Sequence, residues 1–198
     1  MKRKFQHIAY LLMVAAVLTS CGEKKQTSEF PDWAWADFQR PEGINPIVSP
    51  DTTTVFYCPM RQDSVAWESS DNFNPAATIY DGKVVVLYRA EDNSAVGIGS
   101  RTSRLGYAYS DDGLHFNRMT VPVFYPADDN QKELEWPGGC EDPRVAVTDD
   151  GLYVMLYTQW NRKQARLAVA TSRDLQIWEK YGPAFAKAYG GRFFDEFS

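Results

Sequence analysis

Residues 136–144 read Trp-Pro-Gly-Gly-Cys-Glu-Asp-Pro-Arg, which sets an acidic pair, Glu141 and Asp142, between two backbone breakers. Pro137-Gly138-Gly139 dictates a turn ahead of the pair. Pro143 behind it fixes φ at about −65° and removes a backbone donor. A residue before proline is pushed toward extended geometry, so Asp142 is expected at the start of a strand. A carboxylate held on a stiff backbone is suited to proton transfer. It is also suited to satisfying a turn, a common fate of Asp before Pro. A neighbouring arginine would lower the pKa of this acid and burial would raise it, so general-acid work at neutral pH needs burial to prevail.

Other chemistries have little to work with. Histidine occurs only at His7 and His115, and there is no CxxC or HExxH. No metal site and no cofactor are expected. Asp111-Asp112-Gly113 and Asp149-Asp150-Gly151 do not continue into a calcium-loop pattern and read as turns. Beyond Cys21, the cysteines are Cys58 and Cys140. Two cysteines make no disulfide framework, and buried free thiols are expected rather than a bridge. Trp136 reads as core before it reads as a sugar platform.

The elements that must position Asp142 recur along the chain. Residues 74–88 and 142–157 align, each as a strand, an acidic-Gly turn and a second strand. Residues 104–116 align with 166–178, each as a strand ending in Ser, an acidic turn, and a short strand with a large aromatic. Pro122-Val123-Phe124 and Pro183-Ala184-Phe185 close the two units. Each unit therefore holds about four strands and repeats after roughly 60–70 residues, the signature of β-propeller blades. A β-sandwich with coincidental hairpins is the alternative. The fold class is all-β, with residues 45–68 contributing strands to a further blade. Asn74-Pro75 and Asp142-Pro143 fall at equivalent innermost positions and should face one cavity. Two to three blades leave sheet faces uncovered, which predicts that this sequence is part of a longer protein.

The N-terminus reads as an address. Lys2, Arg3 and Lys4 precede an apolar run from Ile8 to Leu18, too short to span a bilayer. Leu18-Thr19-Ser20-Cys21 resembles the lipobox of a bacterial lipoprotein, which implies cleavage before Cys21, acylation of its thiol and a place in the cell envelope. The expected organisation is a signal peptide over 1–20, a lipidated tether over 21–45 and the partial propeller over 46–198. The tether carries Trp33, Trp35 and Phe38, expected to pack on the domain. The formal charge of −5 falls to −8 without the three basic residues of the signal, so nucleic acid is not an expected partner.

Taken together, these residues resemble glycoside hydrolase family 130, the β-mannoside phosphorylases and β-mannosidases. The likeness runs through Trp67-Glu68, Phe73-Asn74-Pro75-Ala76-Ala77, Leu87-Tyr88-Arg89-Ala90-Glu91-Asp92 and Ser103-Arg104-Leu105-Gly106. It peaks in residues 136–144 and extends through Tyr157-Thr158-Gln159-Trp160-Asn161 and Gly182-Pro183-Ala184-Phe185. The resemblance implies a five-bladed β-propeller, with about the first half present here. It implies that Asp142 is the catalytic acid, sending its proton through the 3-hydroxyl of the mannosyl unit while the acceptor inverts the anomeric carbon from the other face. It implies that Asn74 and Arg89 hold that unit, with Asp92 and Arg144 beside them. Without the resemblance, Arg89 reads as an ion-pair partner of Glu91 or Asp92, and Asn74 as the start of its strand.

Phosphate as acceptor requires a cationic pocket. Water requires a second carboxylate as base. Lys187 and Arg192 are the cations near the end of the chain. Conserving bond energy in a sugar phosphate is most useful inside a cell, so an exported enzyme points toward hydrolysis of β-mannosides. Phosphorolysis to mannose 1-phosphate, with inorganic phosphate as co-substrate, is the alternative, and a propeller that only binds glycans is a further one.

Overall fold

The computed structural model describes residues 39–191, almost all within a compact unit spanning Pro41–Ser198. The signal segment, Cys21, most of the tether with Trp33, Trp35 and Phe38, and Arg192 lie outside the described residues.

A short hairpin comes first, β1 (Phe56–Cys58) with β2 (Asp63–Val65). The first four-stranded antiparallel unit follows: β3 (Asp71–Tyr80), β4 (Lys83–Glu91), β5 (Ser103–Ser110) and β6 (Asn117–Arg118). The second is β7 (Gly139–Val147), β8 (Tyr153–Trp160), β9 (Ala165–Ser172) and β10 (Glu179–Pro183). The two repeats expected from sequence are these two units. One short helix, α1 (Lys132–Glu135), lies in the connection between them.

The hairpin turns form where expected. Tyr80 pairs with Lys83 across Asp81-Gly82, and both turn residues have positive φ, 48° and 72°. That is the backbone a two-residue hairpin needs, and Asp-Gly supplies it at little steric cost.

The units stack through an apolar core. Val85, Leu87, Leu105 and Tyr107 of the first unit meet Tyr153, Met155, Tyr157, Ala168 and Ala170 of the second, with Phe124 between them. The opposite face of the first unit, including Val86, Tyr88 and Ala90, packs on Phe56, Cys58, Val65 and Trp67. Strand β4 therefore alternates between two cores and reads as a continuous apolar run. Among the described residues, the second unit is covered on one face only: along β8, Tyr153, Met155 and Tyr157 are buried, while Leu156 between them is 37% exposed. Burying a side chain such as Leu87 contributes about 1.5–3 kcal/mol, so the shared core helps hold the two units together.

Cys58 and Cys140 are free and buried, as expected. Trp136 is part of the packing around the Phe56–Trp67 cluster. Asp111–Gly113 and Asp149–Gly151 are turns and bends.

One local expectation is corrected. Asp142 does not open a strand in extended geometry. It sits inside β7 at a bulge between Glu141 and Arg144, with φ of 49°. Pro143 has no N–H to give the ladder, so pairing lapses there, and a short Asp side chain tolerates the left-handed backbone. Asn74 repeats this in β3, before Pro75, at a bulge between Phe73 and Ala76, with φ of 45°.

Candidate active site

The two bulges aim their side chains at one another. Asn74 Nδ2 donates to Asp142 Oδ1 at 2.9 Å. Arg89 Nη1 donates to the same oxygen at 3.1 Å. Asp142 Oδ2 has no hydrogen-bond partner among the described residues, and the side chain is 34% exposed. A carboxyl group held by one oxygen and open at the other can carry a proton on the open oxygen toward a ligand.

Arg89 is the hub. It is 5% exposed and lies over the Phe73 ring, 4.5 Å from its centre. Its Nη2 donates to Glu91 Oε1 at 2.7 Å and to Glu141 Oε1 at 2.9 Å, and its Nε donates to Ser103 Oγ at 3.0 Å. One guanidinium thus serves three carboxylates from two strands, which its planar fork of donors allows. Ser103 Oγ in turn lies 3.1 Å from Glu141 Oε1 and 3.3 Å from Glu91 Oε1. Arg101 reaches the far oxygen of Glu91 at 3.5 Å and pairs with Asp71.

Burial pushes the Glu141 acid up to about 7. Arg89 and the Ser103 hydroxyl oppose that rise, and the negative charges of Asp142 and Glu91 add to it. This carboxyl group therefore changes charge near neutral pH while facing away from solvent.

Two glycines make the cluster possible. A Cβ on Gly139 would fall 2.2 Å from the Ser103 carbonyl oxygen, and one on Gly138 would fall 2.3 Å from Trp160. Gly139 has φ of 123°. Among the described residues, Ser103 and Gly139 form the single parallel bridge between the units, and Ser103 N donates to Gly138 O at 2.8 Å. The turn read from Pro137-Gly138-Gly139 is a main-chain seam that brings Ser103 against Glu141.

The remaining candidates sit elsewhere. Asp92 is 1% exposed and braces the β4–β5 connection: its Oδ2 accepts from Arg104 at 2.9 Å, and its Oδ1 from the Ser94 and Thr102 amides. Burial works to raise its pKa, but Arg104 and the Ser94 bonds outweigh that and hold it below the usual carboxylate range. Arg144 is exposed and donates to the Pro143 carbonyl at 2.9 Å. Lys187 is exposed. Asn74, Arg89 and Asp142 are brought together; Asp92 and Arg144 show no bond to them among the described residues. Sequence reasoning offered Glu91 as an ion-pair partner of Arg89, which it is, but gave no role to Ser103 or Arg101 and did not bring Glu141 to the same guanidinium. Alternation was the available signal, since Arg89 and Glu91 share a face of β4 and Glu91 pairs with Ser103 across the ladder.

The fold and the cluster define an all-β protein of stacked four-stranded units that holds an acid, an amide and a guanidinium at their seam. A family model described as beta-1,4-mannooligosaccharide phosphorylase matches residues 39–189, and the chain belongs to glycoside hydrolase family 130. It is 99% identical to a solved protein of Bacteroides thetaiotaomicron VPI-5482 provisionally classed as a glycosidase. That match has a TM-score of 0.84 and covers 86% of this chain and 49% of that one. Another similar structure is described as showing that the GH130 family of mannoside phosphorylases contains glycoside hydrolases that target beta-1,2 mannosidic linkages in Candida mannan. It is 69% identical, with a TM-score of 0.82, covering 84% of this chain and 46% of that one. The 1,2-beta-oligomannan phosphorylase of Thermoanaerobacter sp. (strain X514) is 39% identical over 120 residues, 59% of this chain and 38% of its own length. The chain thus spans about half or less of the length of these relatives.

Proposed function

We propose that the protein to which this chain belongs is an inverting β-mannosidase, with Asp142 as its general acid. The carrying observation is the one-sided grip on Asp142: Asn74 and Arg89 bind Oδ1 and leave Oδ2 to hold the proton. In this reading Asn74 and Arg89 also orient the mannosyl unit, whose hydroxyls suit planar donors and acceptors. Oδ2 gives its proton to the mannosyl 3-hydroxyl, whose own proton goes to the departing oxygen as the glycosidic bond breaks. Meanwhile a water that surrenders a proton to a second carboxylate acting as base attacks the opposite face of the anomeric carbon. Asp92 holds the loop behind Arg89, and Arg144 lies at the margin of the sugar site. The 69% identity to the structure described with β-1,2-mannoside hydrolases favours water as acceptor and β-1,2-mannosides as substrates. The ring is read as five-bladed, with these two units and the β1–β2 hairpin as its first part.

A second reading is phosphorolysis, favoured by the names of the two curated relatives, both phosphorylases, at 39% and 35% identity. Incubation with β-1,2-manno-oligosaccharides, with and without phosphate, separates the two. Mannose released in both conditions supports hydrolysis. Mannose 1-phosphate, formed only with phosphate, overturns it, and no turnover in either condition favours a glycan-binding role. We also place the protein on the cell envelope through a lipid on Cys21. Incorporation of labelled fatty acid that disappears in Cys21→Ala is the expected result, and label retained by that variant sinks the assignment.

A further inference from the structure

A second charged pair stands at the rim of the Arg89 cluster. Across the β3–β4 ladder, Asp71 lies opposite Glu91 as Phe73 lies opposite Arg89. Residues two apart on a strand share a face, so Asp71, Phe73, Arg89 and Glu91 look to one side, the side on which Arg89 meets Asp142. Arg101 reaches this face from the β4–β5 connection. Its Nη1 donates to Asp71 Oδ2 and, at 3.5 Å, to Glu91 Oε2, and its Nε donates to the Ala95 carbonyl at 3.3 Å. These bonds fix the guanidinium plane. Its Nη2 has no partner among the described residues, and neither has Asp71 Oδ1. The side chain of Asp71 is 45% exposed and that of Arg101 18%, whereas Glu91 behind them is sealed from solvent.

We infer that Asp71 and Arg101 form a clamp for two adjacent hydroxyls of one glycosyl unit, beside the general acid. One hydroxyl accepts from Arg101 Nη2, and its neighbour donates to Asp71 Oδ1. A sugar hydroxyl can play either part. A carboxylate and a guanidinium already locked together present an acceptor and a donor in fixed geometry, so little side-chain freedom is lost when the sugar arrives. Neither side chain bonds Asp142 or Asn74 among the described residues, so the clamp acts on binding and not on proton transfer. The inference rests on the reading of the protein as a β-mannosidase and adds to it a place where the sugar is held.

The test uses the full-length protein with β-1,2-mannobiose and its monodeoxy analogues, followed by steady-state kinetics and by calorimetric binding. Asp71→Ala and Arg101→Met should each raise KM and Kd about 10-fold, the scale of one hydrogen bond to a charged group, with kcat within about twofold of wild type. Removing one particular hydroxyl from the sugar should cost wild type a similar factor and cost the variants nothing further, because that bond is already gone. Equal KM and Kd in wild type and Asp71→Ala overturn the inference. A fall in kcat alone overturns it too, since that would make the pair a brace for Glu91 and Arg89. Deoxy penalties identical in wild type and variant do the same. If Arg101→Met does not fold, Asp71→Ala, at a partly exposed position, decides the matter with the deoxy series. A wild type that neither binds nor cleaves these sugars sinks the β-mannosidase reading and the clamp together, whereas a wild type that binds them as tightly as Asp71→Ala sinks the clamp alone.

Discussion

The amide of Asn74 donates to Oδ1 of Asp142 across 68 residues of chain, each side chain leaving a left-handed residue that precedes a proline. The same local device in two repeats thus builds the two halves of one contact. Removing it tests the site directly. Asn74→Ala should lower kcat/KM on a β-mannoside by roughly 10–100-fold, the equivalent of about 1.5–3 kcal/mol for a hydrogen bond to a charged group. Asp142→Asn should lower kcat by about 10²–10⁴-fold while sugar binding persists. Steady-state kinetics and calorimetric binding check both; unchanged turnover in Asp142→Asn means the acid lies elsewhere.

The seam at Gly139 makes a stability prediction. Gly139→Ala would drive a methyl group into the Ser103 backbone at a position with positive φ. The expected loss is about 3 kcal/mol, combining overpacking with backbone strain. Denaturant unfolding of wild type and variant measures it, and a loss below about 0.5 kcal/mol, the range of an ordinary surface change, would show that the seam is looser than described.

Asp92 and Arg104 are 1% and 0% exposed at the side chain and bond at 2.9 Å. Breaking such a pair strands a buried charge, so Asp92→Ala should destabilise the fold by about 3–5 kcal/mol. If instead Asp92 binds sugar, the variant would keep its melting temperature and lose affinity. Thermal unfolding beside a binding isotherm separates the two roles.

Glu141 also shapes stability against pH. Its folded pKa is raised from 4.5 to about 7, so the native state holds this proton more tightly than the unfolded chain. The resulting stabilisation is full below about pH 4.5 and is lost as pH rises through 7, on the order of 3 kcal/mol in all. Glu141→Gln should therefore lose less stability than wild type between pH 5 and 8, read from paired urea titrations. Parallel curves for the two proteins would remove Glu141 from the account.

Much of this was legible in the residues themselves. The repeats, the Asp-Gly hairpin, the free cysteines and the meeting of Asn74 with Asp142 follow from period-two patterning, turn chemistry and equivalent positions in two units. The bulge was not, because the bias of a pre-proline residue toward extended backbone was overridden by a ladder that a proline cannot join. The sharing of Arg89 was not either. Alternation places Arg89 beside Glu91, but only the stacking of one unit on the other brings Glu141 and Ser103 to the same guanidinium. The role of Asp92 was hidden for a similar reason: its partner, Arg104, lies beyond a loop whose path the sequence does not spell out.

At Ser103 and Gly139 peptide meets peptide, with no side chain serving as a spacer. The approach of β5 to β7 is therefore ruled there by peptide dimensions, which mutation cannot lengthen by a methylene at a time. Drift in the apolar interior can soften this molecule, but the ruler beside Asp142 stays the same length for as long as position 139 carries no side chain.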